Sequence, residues 1–326
     1  WHDVTRMLTL NGDQSARAVE KHVCLARGSL VLTRDGYIPI EDVEPGDQVL
    51  THKGRWRRVL VARQTGTREV VDLRAQGVAG LRLTPAHKLW ARVGDKARSR
   101  DAAEATDPDW LRADESVGHY VNQKLPPVEA SDLTERECWL IGRWLADGHV
   151  GVRGDFWISI GAHKVSDFLS MAGEHAGTVA IHTAHQYRLK ALSPLVKEAL
   201  QQCGSGAARK QIPPSLLCLP APQAKSVLDG YLSGDGHYLE DRARWMATSI
   251  SRALLLGMSM LVQRVHGTVA ALGQGRAAGE TVIEGRTVQT RQVGVLSFDL
   301  PDPGRRKQPF MQDDGAWKKV RSADAS

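Results

Sequence analysis

The sequence predicts an α+β protein, with an all-β module in its first hundred residues and a mixed segment of helices and strands behind it. Three observations predict this. Short apolar runs separated by turn signals fill residues 29–90. Two helical patterns with matched small residues lie 88 positions apart. Alternating, strand-like patterns follow each of them. With 326 residues the chain has room for two domains, at roughly 150 residues each.

The β-module reads as strands at Ser29–Leu32, Gln48–Leu50, Val59–Val61, Val70–Leu73 and Leu81–Leu83, with turns at Asp35-Gly36, Pro45-Gly46-Asp47 and Lys53-Gly54. Short strands at such intervals suggest a compact all-β unit. Residues 94–117, charged and alanine-rich, read as an exposed excursion with some helix, and Pro126-Pro127 reads as the domain boundary. Beyond it, Thr134 and Glu137 form a capping box ahead of Leu140, Ile141, Trp144 and Leu145, which predicts a helix over about Asp132–Ala146. A second helix is predicted over about Gln223–Gly234, after Pro222. Alternation returns at Ala180–Lys190 and Thr281–Ser297.

Composition excludes several classes. At 42% hydrophobic and 25% charged residues the chain is not globally disordered. Its longest apolar run, Ala253–Val262, is ten residues and holds Ser259, against the ~20 a membrane span needs. Trp1 opens the chain without a basic, apolar leader, which suggests a fragment of something longer and a cytoplasmic setting. Cys24, Cys138, Cys203 and Cys218 are too dispersed for a zinc ribbon or a disulfide framework. The net charge of +6 permits a polyanionic partner without requiring one.

A repeat organises the second half. Shifting by 88 superposes Asp147-Gly148-His149 on Asp235-Gly236-His237, Gly142 on Gly230, Trp157 on Trp245 and Lys164 on Arg252. Arg209-Lys210-Gln211-Ile212-Pro213 and Arg306-Lys307-Gln308-Pro309 recur at 97, which implies an insertion in the second copy. Gly142 and Ala146 share one helix face, as do Gly230 and Gly234. Glycine inside a helix costs about 1 kcal/mol relative to alanine, so close approach of two helix backbones is the expected reason. Each helix ends at Asp-Gly, read as a C′ glycine. Packed in parallel, the helices would bring Asp147 and Asp235 together at their negative ends, where two carboxylates call for a cation. Mg²⁺ suits such oxygen ligands, and no ligand role falls to the Ala146 carbonyl. The plainer alternative is that each Asp-Gly merely stops a helix.

Leu140-Ile141-Gly142-Arg143-Trp144-Leu145-Ala146-Asp147-Gly148 and Leu228-Asp229-Gly230-Tyr231-Leu232-Ser233-Gly234-Asp235-Gly236 resemble the paired motifs of LAGLIDADG homing endonucleases. The resemblance implies two pseudo-symmetric αββαββα units over residues 128–310, metal-binding acids at Asp147 and Asp235, and lysines at Lys210 and Lys307. Lys307 lacks the apolar residue that the family carries before the proline. The implied activity is Mg²⁺-dependent double-strand cleavage of a long DNA target by a monomer. Residues 147–310 hold 18 Lys and Arg against 13 Asp and Glu. Gln186, Arg188 and Lys190 alternate along one strand face, and Thr287, Gln289 and Arg291 along another, with Arg242 and Arg244 assigned to the same surface. Gln and Arg can read purine edges in a major groove.

Cys24 to Ser29, followed by Val31 to Gly36 and Pro39 to Val43, resembles the opening block of inteins (Hint domains), and Thr84-Pro85-Ala86-His87 resembles their Thr-x-x-His block. The resemblance implies that Cys24 attacks the Val23 carbonyl to give a thioester, with Thr84 and His87 polarising and protonating the amide. Residues 1–23 then read as a host (extein) flank in cis, and 24–127 as the N-terminal Hint part with its 94–127 excursion. Residues 311–326 read as the start of the closing Hint segment. No terminal His-Asn follows, so splicing is expected to be incomplete. Two alternatives stay open: an autoprocessing intein with a decayed nuclease, and a DNA-binding protein that uses the same scaffold without cutting.

Overall fold

The computed structural model describes residues 2–10, 24–78, 80–92, 100–181, 185–283, 286–301, 310–313 and 315–325, without the side chains of 2–10, 102, 178–181 and 281–286. The chain divides into two compact units, Trp1–Pro127 with Pro303–Ser326, and Val128–Asp302.

The first unit opens with β1 (His2–Leu10), β2 (Leu25–Ala26), β3 (Leu30–Thr33), β4 (Gly36–Pro39), β5 (Gln48–Leu50), β6 (Trp56–Glu69), β7 (Val71–Ala75), β8 (Leu81–Leu83) and β9 (Lys88–Arg92). Alternation along these strands buries Val49 and Val59 in one cluster, joined by Val43 from the turn after β4, and Val71, Leu73, Ala75 and Leu83 in another. The Asp35-Gly36 turn forms as the sequence predicts. Gly36 takes φ 121°, a conformation open to glycine, and the Thr33 hydroxyl donates to its carbonyl at 2.9 Å. β1, which lies within the segment that reads as a host flank, pairs antiparallel with β6 from His2↔Glu69 to Leu10↔Val59. A fourteen-residue strand offers a long edge of unpaired main-chain groups, and β1 satisfies them.

The excursion is also built into this unit. Its described part contains α1 (Arg100–Glu104), β10 (Asp109–Arg112) and β11 (Tyr120–Gln123), and both strands pair with β9. Arg92 holds it in place. This buried guanidinium donates to the Thr106 carbonyl at 2.7 Å and lies 4.6 Å over the Trp317 ring. A charged run reads as surface in a sequence. Here one arginine donates to the carbonyls of Ala103, Glu104 and Thr106 at the end of a short helix.

In the second unit, α2 (Glu135–Asp147) leads into β12 (Gly148–Val150), β13 (Phe156–Ile160), α3 (Val165–Ala172), β14 (Ala176–Ile181), β15 (His185–Leu189) and α4 (Pro194–Gln202). After α5 (Pro214–Leu217) the pattern recurs as α6 (Ala221–Asp235), β16 (Gly236–Leu239), β17 (Arg244–Ser249), α7 (Arg252–His266), β18 (Ala271–Gln274) and, last, β21 (Gly294–Asp299). The ribbon of β19 (Gly279–Ile283) and β20 (Arg286–Thr290) is inserted before β21 and forms a separate two-stranded sheet. The two four-stranded sheets share one order, β12-β13-β15-β14 and β16-β17-β21-β18. The capping box that starts α2 is present, with Glu137 N–H donating to the Thr134 hydroxyl and Thr134 N–H to the Glu137 carboxylate.

Two expectations need correction. Gly148 and Gly236 do not stop their helices in the left-handed region. Both are extended (φ −85° and −79°) and open the next strand. Glycine is required because a Cβ at Gly148 would run into Trp144, and one at Gly236 into Leu232. Nor are Trp157 and Trp245 equivalent. Gly148 pairs with Ile158 but Gly236 with Ala247, so the second hairpin is one residue longer and Met246 takes the place of Trp157. Trp157 accordingly lies beside His149, whereas Trp245 packs on Tyr238.

The chain then returns to the first unit through β22 (Phe310–Gln312) and β23 (Gly315–Ala325). β23 inserts between β11 and β7, completing the order β10-β9-β11-β23-β7-β8-β2-β1-β6-β5-β3-β4, with β22 paired to β23. Trp317 on β23 packs with Tyr120 and Phe310 in a third apolar cluster.

Candidate functional sites

The first site lies at the ends of α2 and α6. These helices run parallel and in contact, because glycine faces backbone on both sides. A Cβ on Gly142 would overlap the Val227 carbonyl, one on Gly230 the Trp139 carbonyl, and one on Gly234 would strike Arg143 and Ala146. Asp147 and Asp235 are the last residues of the two helices, and each helix end is already partially negative. Asp235 keeps an exposed edge. Burial of its inner side, reinforced by the Asp147 charge, pushes its carboxyl up from the usual range.

Three cations stand around this pair. Arg143 is buried and forms an ion pair with Asp147 one turn along α2. Lys210, 5% exposed, donates to the carbonyls of Trp144, Leu145 and Ala146 at 3.2, 2.9 and 3.1 Å. An ammonium has three protons, so these contacts use all of them, and Lys210 caps α2 while its charge acts on both aspartates. Burial lowers its pKa against that attraction. Lys164 does the same for α6, donating to Ser233 and Gly234 carbonyls at 2.9 and 2.8 Å. The sequence marked Lys164 only as a repeat position. Its capping role had no local signal, because its partners lie about 70 residues away. Lys307 falls outside the described residues.

The cation that two adjacent carboxylates demand is therefore partly supplied by the fold. Divalent metal still fits the donor set. Mg²⁺ is commonly held by one or two carboxylates with water and phosphate completing its shell, and two half-open aspartates offer that. Among the described residues no three His, Cys, Asp or Glu side chains converge on a metal position.

The candidate base readers divide among three places. Gln186 and Arg188 share the outward face of β15, with Lys190 just beyond it. Arg188 pairs with Asp155 at 3.0 Å. Thr287 and Gln289 are exposed on β20, and Arg291 follows it. They lie on the separate ribbon and not on the sheet that holds Arg244. Gln289 donates to Glu280 across the ribbon at 2.7 Å. Arg242 sits in a short helical turn and not on a strand. Arg244 opens β17 and donates twice to Asp299 on β21, at 2.7 and 3.2 Å, which commits its fork to a protein carboxylate.

The second site lies in the first unit, around Cys24. Its N–H donates to the Thr84 hydroxyl at 2.9 Å, and Thr84 N–H donates back to the Cys24 carbonyl at 3.0 Å. His87 is brought in by its own N–H, which donates to the Thr84 carbonyl at 2.9 Å. The three residues that the sequence grouped thus meet at one place. Val23 is outside the described residues. The imidazole is only partly exposed, and its Nδ1 is enclosed and, among the described residues, has no hydrogen-bond partner. Burial holds its pKa down to about 4, against the opposing effect of the Cys24 main chain. The ring is accordingly neutral near pH 7. Thr65 on β6 was missed by sequence reasoning, yet its hydroxyl lies 3.1 Å from the Cys24 thiol. Nothing in a polar strand residue 41 positions away signals that contact. All four cysteines are buried.

Comparison with known proteins bears on the first unit most directly. A family model for the Hint domain matches residues 23–94, the stretch that carries Cys24, Thr84 and His87. The ATP-dependent DNA helicase Hel308 of Thermococcus kodakarensis is 22% identical over 381 aligned positions, which cover 93% of this chain and 34% of the helicase. The chain thus spans about a third of the length of that curated relative. Among solved structures it is similar to the N-terminal LAGLIDADG domain of DUF199/WhiA at 9% identity and TM-score 0.30, over 51% of this chain and 74% of that one. Full-length DUF199/WhiA from Thermatoga maritima is similar at 9% identity and TM-score 0.30, over 52% and 53%. No helix among the described residues is long and apolar enough to cross a membrane.

Proposed function

We propose that the chain is an intein-like protein with two chemistries: a Hint module that forms a thioester at Cys24, and a homing endonuclease that makes a Mg²⁺-dependent double-strand break in DNA. The observation that carries the nuclease reading is the glycine-mediated contact of two parallel helices, whose last residues are aspartates that act on each other electrostatically. A host in cis is supported by the alignment, which takes in nearly all of this chain but only a third of a DNA helicase.

In the nuclease, Asp147 and Asp235 would hold the metal between the helix ends. Bound there, Mg²⁺ would polarise the scissile phosphate and acidify an attacking water. Lys210 and Lys164 keep the helix ends from repelling the phosphate through their charge, the three protons of Lys210 being already given to carbonyls. Gln186, Arg188 and Lys190 offer donors along an exposed strand face to a DNA groove. In the Hint module the Cys24 sulfur attacks the Val23 carbonyl carbon. The C–S bond forms as the C–N bond breaks, and the thiol proton ends on the released Cys24 amine. Thr84 holds the N–H of the departing nitrogen, and neutral His87 relays the proton.

Selection of cleaved sequences from a randomised DNA library in Mg²⁺ tests the nuclease. Asp147→Asn and Asp235→Asn should each reduce double-strand cutting by about a hundredfold or more, with unchanged circular dichroism. Normal linear product from either variant rules out the two-acid site. A second reading, DNA binding without cutting, is favoured by the Arg143–Asp147 ion pair. Footprints without cleavage at every selected site would establish it.

A further inference from the structure

The two acidic helix ends differ at the residue one turn back. Arg143 stands four residues before Asp147, and Tyr231 four before Asp235. Arg143 is 2% exposed. Its Nη1 donates to Asp147, while its Nη2 is enclosed and, among the described residues, has no partner. The facing helix makes room for it at Gly234, where a Cβ would collide with the guanidinium. Tyr231 is wholly buried, and its hydroxyl is enclosed and, among the described residues, also has no partner. It brings no charge to Asp235. The other cations near Asp235, Lys210 and Lys164, are bonded to helix-end carbonyls rather than to its carboxylate.

Resting on the nuclease reading above, we infer that Arg143 is a positioning residue that makes the two acids unequal ligands. It holds Asp147 as an ion pair, so a divalent cation binds first through Asp235 and engages Asp147 only by displacing the guanidinium. A buried arginine that loses its carboxylate is left with an uncompensated charge, and that cost falls on the metal. Asp235 imposes no such cost.

Terbium(III) luminescence titration of the full chain, without DNA, tests this. Asp235→Asn should weaken binding by about tenfold or more, and Asp147→Asn by less than about threefold. Arg143→Met should tighten binding about tenfold, and added to it Asp147→Asn should then become as costly as Asp235→Asn. Should Arg143→Met not give a native circular dichroism spectrum, Arg143→Gln, which keeps a neutral donor for Asp147, replaces it with the same expectation. Equal losses from the two aspartate variants, or a folded Arg143 variant of unchanged affinity, overturn the inference alone. No binding by any variant removes the metal-dependent reading together with it.

Discussion

Cys24, Thr84 and His87 illustrate how much one side chain depends on its surroundings. His87 has a partly exposed ring, but burial keeps its imidazole neutral down to about pH 4, against an ordinary value of 6.5. Between these values the unfolded chain takes up a proton that the folded chain refuses. The contribution is therefore complete above pH 6.5, falls as the pH drops through the window, and levels off below about 4. Urea midpoints at pH 7 and pH 4.5 should show His87→Gln flattening this dependence by on the order of 1–2 kcal/mol, the partly exposed ring reducing the full value. Thr65 gives a second prediction. Its hydroxyl meets the Cys24 thiol, and one such hydrogen bond is worth ~1 kcal/mol. Thr65→Val should slow thiol-induced release of the N-terminal segment about threefold to tenfold, with the melting temperature moving by only a few degrees. An unchanged release rate would show that the hydroxyl does not position the sulfur.

Among elements, the α2–α6 contact has the narrowest tolerance. Two helix backbones approach so closely that an alanine methyl at Gly142 would meet the Val227 carbonyl. Neither helix can shift without moving the aspartate at its end. Gly142→Ala should destabilise the second unit by on the order of 3 kcal/mol and lower metal affinity with it. Gly279→Ala, on an open ribbon with nothing near its Cβ, should change stability by less than about 0.5 kcal/mol. Comparable losses in the two variants, read from denaturant unfolding, would mean that the helix contact is looser than described. The small residues in α2 and α6 were legible because helical periodicity places them on one face. The one-residue difference between the hairpins after α2 and α6 was not, since it depends on strand register and turn length.

For the whole molecule, the two candidate sites belong to separate compact units. Asp147→Asn should therefore leave thiol-induced release at Cys24 unchanged within about twofold, and Cys24→Ala should leave DNA cleavage unchanged by the same measure. Loss of both activities in either single variant would show that the units are coupled. The return of β22 and β23 to the first unit means that its sheet closes only after the second unit has been traversed. Pairings such as Ala325↔Val71 join residues more than 250 positions apart. Contacts of this range are slow to form, and no local pattern announces them.

The sequence by itself determined which faces are apolar, where α2 and α6 end, and that Cys24, Thr84 and His87 form one set. The first two follow from periodicity along each helix, and the third from the resemblance of the two motifs to those of inteins. Only the tertiary structure decided that β1 pairs with β6, that Arg92 anchors the excursion, and that Arg143, Lys164 and Lys210 surround the two aspartates. Periodicity specifies the side of an element that is buried but not the partner it is buried against. A lysine that caps a distant helix therefore has the same local sequence signature as one that faces water.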